Sequence, residues 1–138
     1  MTAASVQGSC LCGGVRFAVA LPVGVFRYCH CSRCQKATGS AHAANIFVPQ
    51  SQFSWLAGED LVTRFDLPGA QRFSVWFCSR CGTRVPHKIR TRDDYLVPAG
   101  VLDGDPVARP DMNIFAAPGA CWYADPAGLP SHPGYPAY

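Results

Sequence analysis

The chain has 138 residues, of which 49% are hydrophobic and 15% charged, with a formal net charge of +3. That length suits one domain spanning residues 1–138, and the mild positive excess suits an anionic small molecule better than nucleic acid. No stretch approaches the roughly 18 apolar residues of a membrane span, and residues 1–9 lack the basic and apolar regions of a signal peptide, so the expected compartment is the cytoplasm.

The elements predicted along the chain are short and mostly β. Val15, Phe17 and Val19 alternate with Arg16 and Ala18 in the strand period. Residues 32–38 form the single predicted helix, ended by Gly39. Strands follow at 45–48, around Phe53-Ser54-Trp55 and from Leu61 to Phe65. Leu67-Pro68-Gly69-Ala70 reads as a hairpin connection into the alternating run Phe73, Val75, Phe77. Two more strands are predicted at 85–90 and 95–99, and Asp103-Gly104-Asp105-Pro106 reads as a reversal. The tail, 126–138, holds four prolines and is expected to run extended without a helix. Short strands separated by frequent turns argue for a mainly β fold.

Seven of the eight cysteines fall in three clusters: Cys10 and Cys12; Cys29, Cys31 and Cys34; Cys78 and Cys81. An even count admits a disulfide framework, but a Cys-x-Cys pair is badly placed to bridge internally, and reduced cytosolic thiols in clusters read as metal ligands. A thiolate zinc site that is closed takes four sulfurs, so seven divide as four plus three. Cys10, Cys12, Cys78 and Cys81 are the expected closed set, with Gly13 and Gly82 supplying the positive φ of two metal knuckles. Their convergence is expected from neighbouring strands, one leaving the first knuckle and one entering the second. Cys29, Cys31 and Cys34 are the expected open set, whose fourth position takes water or a substrate thiol. His30, His42 and Cys121 are the alternatives that would close it. Arg33 and Lys36 stand ready to attract an anion. Arg84, Lys88, Arg90 and Arg92 read as a solvated sheet face, and His87 as a packed core histidine.

The order Gly8-x-Cys10-x-Cys12-Gly13-x-Val15-x-Phe17, Cys29-His30-Cys31-x-x-Cys34, then Phe77-Cys78-x-x-Cys81-Gly82-Thr83 resembles the glutathione-dependent formaldehyde-activating enzymes, a family that includes centromere protein V. The resemblance implies a β-tent fold of short antiparallel sheets pinned by zinc. It implies a structural zinc on Cys10, Cys12, Cys78 and Cys81, and a catalytic zinc on Cys29, Cys31 and Cys34. The implied activity is that of a carbon–sulfur lyase, reversibly adding a small-molecule thiol, glutathione, to a small aldehyde, formaldehyde, to give S-hydroxymethylglutathione. His42 and Asp94 are candidate bases by residue type alone. The chain departs from the family pattern at Asn113-Ile114-Phe115, where relatives commonly carry His first, and at Ala117–Trp122, which lacks a basic residue. Two rival readings are a non-catalytic zinc module that binds a protein or nucleic acid through the basic row, and a redox or zinc-buffering protein.

Overall fold

The computed structural model describes residues 4–117 and 119–137. Eleven strands and one α-helix are formed among them. Strands β1 (Ser5–Ser9), β2 (Arg16–Ala20) and β5 (Phe53–Ala57) make one antiparallel sheet in the order β1-β2-β5. Strands β3 (Val25–Cys29), β4 (Ala43–Pro49), β9 (His87–Lys88), β10 (Asp94–Pro98) and β11 (Met112–Ile114) make a second, ordered β11-β3-β4-β10-β9. Its only parallel pair is β11 with β3. Strands β6 (Val62–Asp66), β7 (Ser74–Cys78) and β8 (Arg84–Val85) make the third. The fold is thus mainly β, built from short and mostly antiparallel sheets, as the turn spacing predicts.

The helix α1 (Ser32–Thr38) starts where the Cys31 sulfur accepts the Cys34 N–H at 3.3 Å. It stops at Gly39, whose left-handed φ of 63° lets its N–H reach the Gln35 carbonyl. The 67–70 turn forms as predicted. Pro68 precedes Gly69 at φ 80°, the Ala70 N–H donates to the Leu67 carbonyl, and the hairpin joins β6 to β7. In the tail, residues 126–128 make one 3-10 turn capped by Asp125, a local coil the extended reading did not include. Tyr138 at its end lies outside the described residues, as does Pro118 of the departing segment.

One predicted strand is two. Pro86 interrupts residues 85–90, so β8 pairs with β7 while β9 pairs with β10 in a different sheet. Proline has no N–H for a ladder and tends to end a strand or change its partner.

The five-stranded sheet has two unlike faces. Phe26, Ile46, Val48 and Val97 pack with Val6, Phe17, Val19 and Phe53 of the first sheet into the main core. Phe53 stacks on Tyr95 at 4.1 Å between centroids, and Phe17 stacks on Phe53 at 5.6 Å. The opposite face carries Cys29, Asn45, Phe47, Leu96 and His87 on successive strands. Register places Val25 and Leu96 beside Phe47, Cys29 beside Ala43, and His87 beside Leu96. That second face floors a cavity.

Candidate metal centres and active site

The first cluster is assembled from two knuckles. The Gly13 N–H donates to the Cys10 carbonyl, and the Gly82 N–H donates to the Cys78 carbonyl. Gly13 and Gly82 have φ of 79° and 76°, which a side chain would strain. The Val15 N–H donates to Cys10 Sγ at 3.3 Å. Thr83 couples the knuckles: its Oγ1 accepts the Leu11 N–H at 3.0 Å and lies 3.2 Å from Cys81 Sγ. The four sulfurs of Cys10, Cys12, Cys78 and Cys81 all fall within 4.8 Å of one another, with Cys10 to Cys12 at 3.5 Å and Cys12 to Cys78 at 3.9 Å. A tetrahedron of zinc–sulfur bonds of about 2.3 Å has edges of about 3.8 Å, so this set has the dimensions of a closed thiolate site.

The convergence does not arise from pairing of β2 with β7, which lie in different sheets. The knuckles meet instead over a small second core of Cys10, Val15, Cys78 and Val85. Burial and hydrogen bonding alone spread the thiol pKa values. The Thr83 hydroxyl and backbone N–H hold Cys81 down at about 5. Cys12 rises to about 11: the Gly14 N–H favours its thiolate, but the neighbouring Cys10, burial, and Cys81 and Cys78 outweigh that bond.

The second cluster comes from one segment. Cys29 ends β3, Cys31 caps α1, and Cys34 lies in its first turn. Their sulfurs also lie within 4.8 Å of one another. Burial raises the pKa of Cys29 and, with the neighbouring thiols, that of Cys34. Burial also acts on Cys31, but the Cys34 N–H and the adjacent thiols outweigh it and lower its pKa. Among the described residues no His, Asp or Glu joins these three sulfurs. His30 points away and donates from Nε2 to Asn113 Oδ1 at 2.8 Å. His42 stacks on Tyr28 at 4.3 Å and donates from Nδ1 to the Ala43 carbonyl. Cys121 is exposed and apart. None of the eight cysteines is disulfide-bonded.

The three sulfurs open onto a cavity of about 750 Å³. The face bearing Asn45, Leu96 and His87 forms one wall. The β6–β7 hairpin and β8 form the other, with Arg72 and Arg84; α1 contributes Arg33. No carboxylate is among the lining residues described.

Residues 5–118 match the family model for the glutathione-dependent formaldehyde-activating enzyme. The chain belongs to that family. A crystal structure of a Rhodobacter sphaeroides protein is similar, with a TM-score of 0.58 and 27% identity over 77% of this chain and 98% of that one. No curated protein matches the chain significantly. Both sulfur sets lie within the residues that match the formaldehyde-activating enzyme family.

The basic row is not a solvated face. Arg84 lines the cavity with its Nε sealed from solvent, and Arg90 donates to the Ala70 carbonyl at the hairpin tip. Lys88 and Arg92 pair with Asp93 and Asp94 at the surface, Arg92 at the cavity's edge. The break at Pro86 is the reason, since it turns β8 and β9 toward different sheets. His87 is buried as expected, yet it lines the cavity rather than the main core. Neither His42 nor Asp94 lies among the lining residues. Sequence reasoning missed Asn45, Arg84 and His87 as a group. The available signals were a lone Asn opening the apolar run Ile46-Phe47-Val48, and the proline between Arg84 and His87.

Proposed function

We propose that this chain is a zinc-dependent carbon–sulfur lyase, a single domain acting in the cytoplasm on a thiol and a small aldehyde. Glutathione and formaldehyde are the leading pair, giving S-hydroxymethylglutathione. Cys10, Cys12, Cys78 and Cys81 hold the structural zinc of a β-tent fold. Cys29, Cys31 and Cys34 present the catalytic one. The observation that carries this reading is a three-sulfur cluster, uncapped by any described side chain, opening onto a cavity lined by arginines and no carboxylate.

Bound zinc there would lower the pKa of a substrate thiol and keep it as the thiolate nucleophile. In the forward reaction the sulfur lone pair forms the C–S bond to the aldehyde carbon. The C=O π electrons move to oxygen, which takes a proton from water to become the hydroxyl of the adduct. The reverse reaction removes that proton and breaks the C–S bond. The protein's own part is to hold the thiol and to favour its negative charge. Arg33 and Arg72 line the cavity from its exposed edge, and Arg84 stands in its wall. Burial pulls the Arg84 guanidinium below its ordinary pKa, while attraction to Cys34, Cys29 and Cys31 works against that shift. The reading as a nucleic-acid module loses its contact surface, because the basic row is divided between the cavity, the hairpin tip and surface ion pairs.

The test is exchange spectroscopy by nuclear magnetic resonance on formaldehyde and its glutathione adduct, with and without zinc-loaded protein. Acceleration that disappears in Cys34→Ala is the expected result. An exchange rate unchanged by the protein removes this substrate pair.

A further inference from the structure

A second groove, of about 550 Å³, runs between α1 and the β6–β7 hairpin. Strand alternation builds its floor. Phe73 at the entry to β7, then Val75 and Phe77, share one face, while Ser74 and Cys78 on the other are buried. Phe65 pairs with Val75, so Phe65 and Leu67 of the neighbouring strand continue the same apolar surface. All five line the groove, yet Phe65 is 50% exposed. A contiguous apolar surface left open to water marks a binding site more often than an accident of packing.

The helix side of the groove supplies charge of one sign. Arg33 and Lys36 are its only charged lining residues, and both are exposed. They stand three positions apart, neighbours on the helix surface, where like charges repel. Neither makes an ion pair among the described residues. The one acid of β6 beside the floor, Asp66, does not neutralise them, because it accepts from Arg64 and from Ser74 instead. An anion set between Arg33 and Lys36 relieves their repulsion. The guanidinium fork suits a carboxylate, and the ammonium adds a point charge.

Dimensions narrow the ligand further. The volume falls in the range of small-molecule sites, which are mostly apolar with a few polar groups fixing orientation. From Phe73 to Phe77 the floor runs about 13 Å, four strand steps. An alkyl chain fills that length and acetate does not.

We propose that this groove binds a carboxylic acid with an unbranched apolar chain of medium length. The chain lies on the Phe65–Val75–Phe77 floor, and the carboxylate sits on Arg33 and Lys36. Lys36, Phe65, Leu67, Val75 and Phe77 do not line the sulfur-facing cavity, so the site stands whether or not the thiol–aldehyde reading does.

The probe is octanoate, titrated into zinc-loaded full-length protein while the Leu67 and Val75 methyl resonances are followed. Octan-1-ol carries the same chain with a neutral head, and acetate the same head without the chain. Octanoate is expected to shift both methyls saturably, octan-1-ol to bind about fivefold more weakly, and acetate to leave them unmoved. Arg33→Gln combined with Lys36→Gln should bring octanoate down to the affinity of the alcohol, and Lys36→Gln alone part of the way. Phe65→Ser should weaken acid and alcohol alike, about tenfold. Equal affinity for octanoate and octan-1-ol in the native protein overturns the proposal. So does binding unchanged in Phe65→Ser, or shifts confined to Leu96 and Ile114 of the other cavity. Sedimentation at the same concentrations supplies the last arm: a dimer that Phe65→Ser dissociates, with octanoate failing to move either methyl, makes the groove a contact between copies and removes the ligand.

Discussion

The four-sulfur and three-sulfur clusters use the same ligand atom and differ in how the chain delivers it. The first joins two glycine-backed knuckles 66 residues apart between Cys12 and Cys78, tied by Thr83 and a small core. The second takes all three sulfurs from one strand end and the first turn of α1. The first lies partly at the surface with Cys12 exposed, yet no cavity faces it among those described; the second is more buried and opens onto the large cavity. On the proposed assignment, exposure alone is a poor guide to which cluster does chemistry. What separates them is whether the ligands close long-range topology or face a space that a small molecule can enter.

The largest effect breaks that comparison if it is wrong. Cys78→Ala should leave an unfolded or aggregated chain, because a structural zinc site contributes on the order of 10 kcal/mol to folding. Cys34→Ala should leave a folded protein with one zinc fewer and no exchange activity. Circular dichroism with metal analysis reads both, and equal collapse of the two variants would make the second cluster structural as well.

The cavity wall should also reveal itself through pH. Burial, Arg84 and Arg64 push the His87 imidazole from 6.5 down to about 3. Its folded pKa lies below its unfolded value, so the unfolded chain takes up the proton first as pH falls. The stability involved is intact above about pH 6.5 and is lost on the way down toward pH 3. Between pH 6.5 and 5 the loss is about 2 kcal/mol. Denaturant titrations of His87→Gln should lack that part of the slope.

A smaller change sharpens the contrast from the structural side. Thr83→Val removes the link between the knuckles and should cost about 1 kcal/mol. A chelator should then strip zinc faster from the four-sulfur site alone. The smallest effect belongs to the rim. Arg33→Ala combined with Lys36→Ala should raise KM for an anionic thiol a few-fold at low salt, and less at high salt, with kcat held.

Much of this was legible in the cysteines and glycines, because knuckles and caps are local. The spacing of Cys78 and Cys81, the φ of Gly82 and the stop at Gly39 need only neighbouring residues. Pairing is not local. Strand β3 carries Phe26 and Tyr28 on its core side and Cys29 on its cavity side, so it shows no clean polar alternation. Strand β1 is mostly polar and contains Gly8. The fate of Arg84 and His87 depended on Pro86 sending two adjacent dipeptides into separate sheets. The departure at Asn113 also acquires a place: it sits on β11 next to Tyr28 and accepts from His30, on the side of β3 away from the sulfurs.

Zinc-edge anomalous diffraction from zinc-loaded crystals addresses the division of sulfurs directly. Two ions are predicted. Cys10, Cys12, Cys78 and Cys81 should surround one, while Cys29, Cys31 and Cys34 hold the other with a non-protein atom in fourth position on the cavity side. A single ion, or a protein side chain completing the second, would contradict it.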